Sequence, residues 1–233
     1  LIELLRDWET APADLEHLQL ALQQLDELFL LVVVGEFNSG KSALINALLG
    51  KEYLPQGVTP TTDRIYVVRY GEEGSPECVA KDVRVVRYPA EFLREVNIVD
   101  TPGTNAVLRH HESIVRDFIP RSDLVIFVTD SDLNETEYTA LVELATFHKP
   151  LIVVLNKFDL YSRVEREKLL SVLHQRLDGI VPLDHIVPAA ANPREREYVI
   201  QSADGSERSE WRTPPPDVAD LKSLILTLLD KEG

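Results

Sequence analysis

Gly35-Glu36-Phe37-Asn38-Ser39-Gly40-Lys41-Ser42 is the stretch that decides how this chain is read. It fits the pattern GxxxxGK[ST] and stands between the apolar run Leu30-Leu31-Val32-Val33-Val34 and a helical pattern over Lys41 to Leu49. A strand before it and a helix after it are the context that a phosphate-binding loop requires. Glycines let the backbone wrap anionic oxygens, so that amide N–H groups and the positive end of the helix face them. Gly35, Ser39, Gly40, Lys41, Ser42 and Ala43 are therefore candidate phosphate contacts. Lys41 is placed to reach the β- and γ-phosphates of a nucleotide, and the Ser42 hydroxyl to ligate Mg²⁺.

Asp100-Thr101-Pro102-Gly103 directly follows the short apolar stretch Val96-Asn97-Ile98-Val99. An aspartate at the carboxyl end of a strand can hold Mg²⁺ through water. The amide of Gly103 can sense a γ-phosphate and move when it leaves. Asn156-Lys157-Phe158-Asp159 closes the run Leu151 to Leu155, the fifth strand expected after the first loop. The two acceptor oxygens of Asp159 match the N1–H and exocyclic amine of guanine, and adenine offers no such pair of donors. Asn156 then braces the loop and Lys157 lies along the base.

Two fainter signals complete the set. In Val58-Thr59-Pro60-Thr61-Thr62-Asp63, Thr62 is favoured over Thr61 as the residue that closes over Mg²⁺ and the γ-phosphate. Val187-Pro188-Ala189-Ala190-Ala191 ends the last strand, where a small-residue loop can offer a backbone N–H to guanine O6; Ala190 and Ala191 are the candidates.

Apolar strands alternate with helical patterns from Leu30 onward, which predicts an α/β domain: a mostly parallel central sheet flanked by helices. Strands are expected at residues 65–70, 83–88, 124–128 and 185–189. Helices are expected at 111–118, from an Asn134 cap with Glu137 through Phe147, at 163–177, and near 217–230 as a closing helix. Residues 195–213 read as a surface excursion, a hairpin. Leu15, Leu18, Leu22 and Leu25 fall at helical spacing before the first strand, so residues 1–29 form an N-terminal helical segment ahead of a domain over 30–233.

The 233 residues carry 24 Lys and Arg against 39 Asp and Glu, a net charge of −15. A surface that acidic repels nucleic acid and anionic headgroups, so nucleic acid is not the expected partner. One cysteine, Cys78, excludes an internal disulfide and suits a reducing, cytoplasmic setting. The longest apolar run, Leu28 to Val34, is too short to cross a bilayer. A chain that starts at Leu1 and holds no Met is expected to be part of a longer protein.

With these residues in place, the chain resembles the dynamin-like GTPases of bacteria and chloroplasts, of the fuzzy-onions-like type. The resemblance rests on residues 35–50, the stretch Leu54-Pro55-Gln56-Gly57-Val58-Thr59-Pro60-Thr61-Thr62, and Asn97 through Asn105. It implies a GTP-binding enzyme that hydrolyses GTP to GDP and phosphate and is activated by nucleotide-dependent pairing of two such domains. Asn38 stands where cation-dependent members bind K⁺ in place of an arginine finger. Thr104 stands where a Ras-type GTPase carries its water-orienting Gln, and Phe37 where dynamins commonly carry Gln. Lys41, Asn38, Thr62 and Gly103 are the catalytic candidates on this basis. Any membrane association belongs to parts of a full-length protein outside this chain, which would then be peripheral to a membrane. Two alternatives stay open: an Era-like GTPase of ribosome or RNA-linked processes, and a nucleotide-state switch with negligible turnover.

Overall fold

Strands that are apolar on both sides must be covered on both sides, and the sheet is built accordingly. The computed structural model describes residues 28–55, 65–80, 83–101, 118–201 and 207–232. In chain order these form β1 (Phe29–Gly35), α1 (Lys41–Leu49), β2 (Ile65–Tyr70), β3 (Glu77–Ala80), β4 (Val83–Tyr88), β5 (Val96–Asp100) and β6 (Leu124–Thr129). There follow α2 (Glu135–Ala145), β7 (Leu151–Leu155), α3 (Arg163–Arg176), β8 (Ile186–Pro188), β9 (Arg196–Gln201), β10 (Glu207–Arg212) and α4 (Ala219–Glu232).

Eight strands lie in the order β3-β4-β2-β5-β1-β6-β7-β8. β1 runs parallel to β5 and β6, and β6, β7 and β8 continue in parallel. β2 is antiparallel to β5, β4 is parallel to β2, and β3 is antiparallel to β4. The expected mostly parallel α/β sheet is therefore present, with a mixed flank. The link between β2 and β4 contains a strand that was not expected. β3 is four residues at an edge with one well-buried apolar side chain, Val79, too short for an alternating pattern to emerge. It also makes β7 the sixth strand after β1 among those described, where the fifth was expected.

Period-two alternation sorts the strand residues onto two faces. Val32, Val99, Phe127 and Val153 meet Leu141 and Leu144 of α2 and Leu173 of α3. Leu31, Ile98, Ile126 and Val154 meet Leu44, Ile45 and Leu48 of α1 and Leu221, Ile225 and Leu228 of α4. α2 starts with the expected reciprocal cap: Asn134 accepts from the Glu137 amide, and Glu137 accepts from the Asn134 amide. The predicted excursion is a separate antiparallel hairpin of β9 and β10. Residues 1–27, the Thr62 loop, Gly103 and residues 111–117 of the helix expected over 111–118 lie outside the described residues, and Phe118 stands in a turn.

Parallel strands bring their carboxyl ends to one edge, which is where an open α/β sheet binds its ligand. Here that edge collects Gly35, Asp100, Asp130, Asn156 and Ala189 from the ends of β1, β5, β6, β7 and β8.

Candidate functional site

Gly40 turns the chain into α1 with a left-handed backbone (φ 91°), and no side chain caps the helix start. The first helical bond there is Leu44 N–H to Gly40 O, so the amides of Lys41, Ser42 and Ala43 are offered outward. No acidic residue sits in that first turn. The loop is otherwise closed on itself: the Glu36 carbonyl accepts from the Ser39 amide, the Ser39 hydroxyl at 2.9 Å and Lys41 Nζ at 2.8 Å. Lys41 Nζ also donates to Gly35 O at 3.0 Å, which uses two of its three donors and leaves one for an anion. Burial pulls the Lys41 ammonium down to a pKa of about 8, against the opposing pull of Asp100 and Glu36.

Ser42 Oγ donates to Asp100 Oδ2 at 2.9 Å. Asp100 is 1% exposed, and its other oxygen, Oδ1, is buried without a hydrogen-bond partner among the described residues. Burial raises this carboxyl to about 6, although Lys41, the Ser42 hydroxyl and the Thr101 amide all favour its ionised form. A hydroxyl and an orphaned carboxylate oxygen side by side are hard oxygen donors of the kind Mg²⁺ takes through one or two protein ligands and water. The residues fit that ion.

Asn156 is the node of the other half of this edge. Its Nδ2 donates to Ser39 O at 2.9 Å, and its Oδ1 accepts from the Ala191 amide at 3.1 Å. One buried side chain thereby ties residues 39, 156 and 191 together. Lys157 adopts a left-handed backbone (φ 55°) and donates from Nζ to Asn38 O and to Asp130 Oδ2. Asp159 Oδ2 accepts from the Arg194 amide at 3.1 Å, and Oδ1 takes no partner among the described residues. The Ala190 amide is donated to Asp217 O, so both alanine amides chosen from the sequence are engaged, one by the start of the closing segment and one by Asn156.

The structure thus gathers Gly35, Asn38, Ser39, Gly40, Lys41, Ser42, Ala43, Asp100, Asn156, Lys157, Asp159, Ala190 and Ala191 at one edge of the sheet. Asn38 is exposed at the lip, with a left-handed backbone (φ 64°). Sequence reasoning missed Asp130, Asn134 and Asn46. Asp130 carries the same cue as Asp100, an acid that ends an apolar strand. Asn134, seen only as a helix cap, also donates to Glu36 Oε2 at 3.2 Å. Asn46 is 3% exposed and clamps the next turn: its Oδ1 accepts from the Tyr53 and Leu54 amides, and its Nδ2 donates to Leu54 O.

Fold and site together define a P-loop GTPase. A family model described as the dynamin family matches residues 31–92 and 74–158, together more than half of the chain. The chain belongs to the dynamin family and is a GTPase domain of it. It is 41% identical over 175 residues to the probable transmembrane GTPase FZO-like, chloroplastic, of Arabidopsis thaliana, covering 72% of this chain and 19% of that protein. The GTPase Era of Geotalea daltonii is 26% identical over 165 residues, covering 68% of this chain and 48% of that protein. The Era alternative accordingly fits less well. A bacterial dynamin structure, described as an oligomerised pair that senses and tethers membranes, superposes with a TM-score of 0.59. It is 21% identical and covers 80% of this chain and 43% of that one. The chain spans less than half the length of each of these proteins.

Proposed function

We propose that this domain hydrolyses GTP to GDP and phosphate by positioning and electrostatic stabilisation, with no covalent intermediate. The observation that carries this is the Lys41–Ser42–Asp100 constellation, an ammonium with one uncommitted donor beside a hydroxyl and an orphaned carboxylate oxygen. Lys41 and the amides of residues 41–43 bind the phosphates. Ser42 and Asp100, joined by Thr62, hold Mg²⁺, which offsets charge on the β- and γ-phosphates when bound. Gly103 follows the γ-phosphate. Asp159 selects guanine, Lys157 lies along the base, and the 189–191 loop borders guanine O6; for the Ala190 or Ala191 amide to donate to O6, nucleotide binding must draw it from Asp217 O or Asn156 Oδ1.

Asn38 helps hold K⁺, and two domains pair across their nucleotide faces to complete the site. The exposed side chain of Asn38 at the lip supports that role. In the whole protein, contact with a membrane falls to parts outside this chain; among the described residues no helix is long and apolar enough to cross one. GTP turnover per molecule over a range of protein concentrations, with K⁺ and then Na⁺ as the monovalent cation, tests the proposal. Specific activity is expected to climb with concentration in K⁺ and to lose that response in Asn38→Ala. Turnover that stays flat and near zero in both salts, with GTP bound, would replace self-activation by the role of a nucleotide-state switch, which Phe37 and Thr104 favour.

A further inference from the structure

Lys157 is held at its charged end by something no motif names. Its Nζ reaches Asp130 Oδ2 at 2.6 Å as well as the Asn38 carbonyl. Its stem passes the bend of the phosphate loop, where Cε would lie 4.0 Å from a Cβ placed on Gly40. Asp130 itself is fixed twice, because its carbonyl accepts from the Tyr161 hydroxyl on the far side of the base-reading turn. The loop that carries it is rigid. Leu133 is 1% exposed with a left-handed backbone (φ 64°), Arg176 of α3 donates to its carbonyl at 2.7 Å, and Asn134 donates to Glu36.

The ion pair itself contributes little to folding. Lys157 and Asp130 keep 35% and 38% of their side-chain surface in water, where solvent screening and the ordering of two side chains offset most of the attraction. What the pair does supply is orientation. A lysine ammonium rides on four flexible carbons, and its rotamer freedom must be given up before the stem can serve as a wall for a flat ligand.

We propose that Asp130 is a positioning residue for the guanine base: by pinning the Lys157 ammonium against the phosphate loop it preorganises the stem along which the base lies. This rests on the proposed role of Lys157 at the base. Asp130 touches neither phosphates nor the Ser42–Asp100 pair, so its effect falls on binding and not on the chemical step.

The test measures GDP and GTP affinity by displacement of a fluorescent guanine nucleotide, together with KM, kcat and the urea midpoint, for wild type, Asp130→Ala and Asp130→Asn. Glu167→Ala serves as a control that breaks the exposed Arg163–Glu167 pair on α3. Expected are an affinity loss of about tenfold and an equal rise in KM for Asp130→Ala, with kcat within about twofold of wild type. Asp130→Asn, which keeps an acceptor, recovers part of the loss, and Glu167→Ala changes nothing. Unchanged affinity in Asp130→Ala overturns the proposal, and so does a loss accompanied by an equivalent fall in the urea midpoint or carried by kcat. Wild-type protein that fails to retain GDP overturns the nucleotide assignment itself, a result distinct from wild type and Asp130→Ala retaining it equally.

Discussion

Asp100 and Lys41 each sit where burial works against their own charge. The Asp100 carboxyl is raised from 3.8 to about 6, so its cost to the nucleotide-free fold is fully present above pH 6 and fades as pH falls toward 3.8. The Lys41 ammonium is lowered from 10.5 to about 8, so its cost is full below pH 8 and fades between 8 and 10.5. With Asp100 in the proposed role, protons would compete with Mg²⁺ for its carboxylate, and Mg²⁺-nucleotide affinity at subsaturating Mg²⁺ is expected to fall as pH drops through about 6. Isothermal titration between pH 5 and 8 checks this. Asp100→Asn should raise the Mg²⁺ concentration needed for half-maximal turnover and lower turnover by about a hundredfold or more. Asp159→Asn turns one acceptor into a donor, so GTP affinity should drop by about a hundredfold while a nucleotide with a carbonyl in place of the guanine amine gains. Competition between GTP and XTP reads that switch. Asp100 and Asp159 stood out in the sequence because each lies in a short motif at the close of an apolar run, and Lys41 because it closes a glycine-bearing loop between a strand and a helix. Asp130 shares the strand-end cue of Asp100 but stands in no motif that gives the cue a meaning, and the contacts that place Asp130 and Asn134, to Lys157 27 residues away and Glu36 98 residues away, follow no spacing rule.

The join between the phosphate loop and the base-reading loop has almost no slack. A Cβ on Gly40 would stand 2.3 Å from Asn156 Nδ2, at a backbone angle that side chains rarely adopt, whereas one on Gly50 (φ 75°) meets nothing within 4 Å. Gly50→Ala is expected to cost about 1 kcal/mol for its backbone alone. Gly40→Ala should cost several-fold more in the urea midpoint and should also remove nucleotide binding, because Asn156 must let go of Ser39. Asn46→Ala leaves the half-buried amide of Tyr53 and the buried amide and carbonyl of Leu54 without their partner, for about 2–4 kcal/mol, measured by the same unfolding curve. Helices were readable where local chemistry ends them: Gly40 and Gly50 bracket α1, and Asn134 with Glu137 starts α2. The order of the strands was not readable at the β2–β4 flank. Those strands share the patterns Ile-Tyr-Val-Val-Arg-Tyr and Val-Arg-Val-Val-Arg-Tyr. Nothing local distinguishes a tight hairpin from the parallel pairing that β3 and its link make possible.

Across the whole molecule, the two core clusters lock the eight-stranded sheet, and the hairpin of β9 and β10 stands outside it. Its base is tied to the turn after β7, since the Arg194 amide and the Arg196 guanidinium both donate to Asp159. Trimming the hairpin at residues 197–211 and joining the ends with a short Gly-Ser turn is expected to leave the fold intact, because β9 and β10 form a sheet of their own. Circular dichroism and retention of GDP check that outcome. On the outer strand Trp211 keeps 64% of its surface in water, beside Val199 at 62%. The chain has one other tryptophan, Trp8. In a Trp8→Phe background the remaining indole glows at the long wavelengths of a water-bathed ring and is open to a dissolved quencher. Anything that settles over the hairpin must shift that emission to the blue and shield it, so the molecule carries its own optical gauge of occupancy beside the turn that holds Asp159.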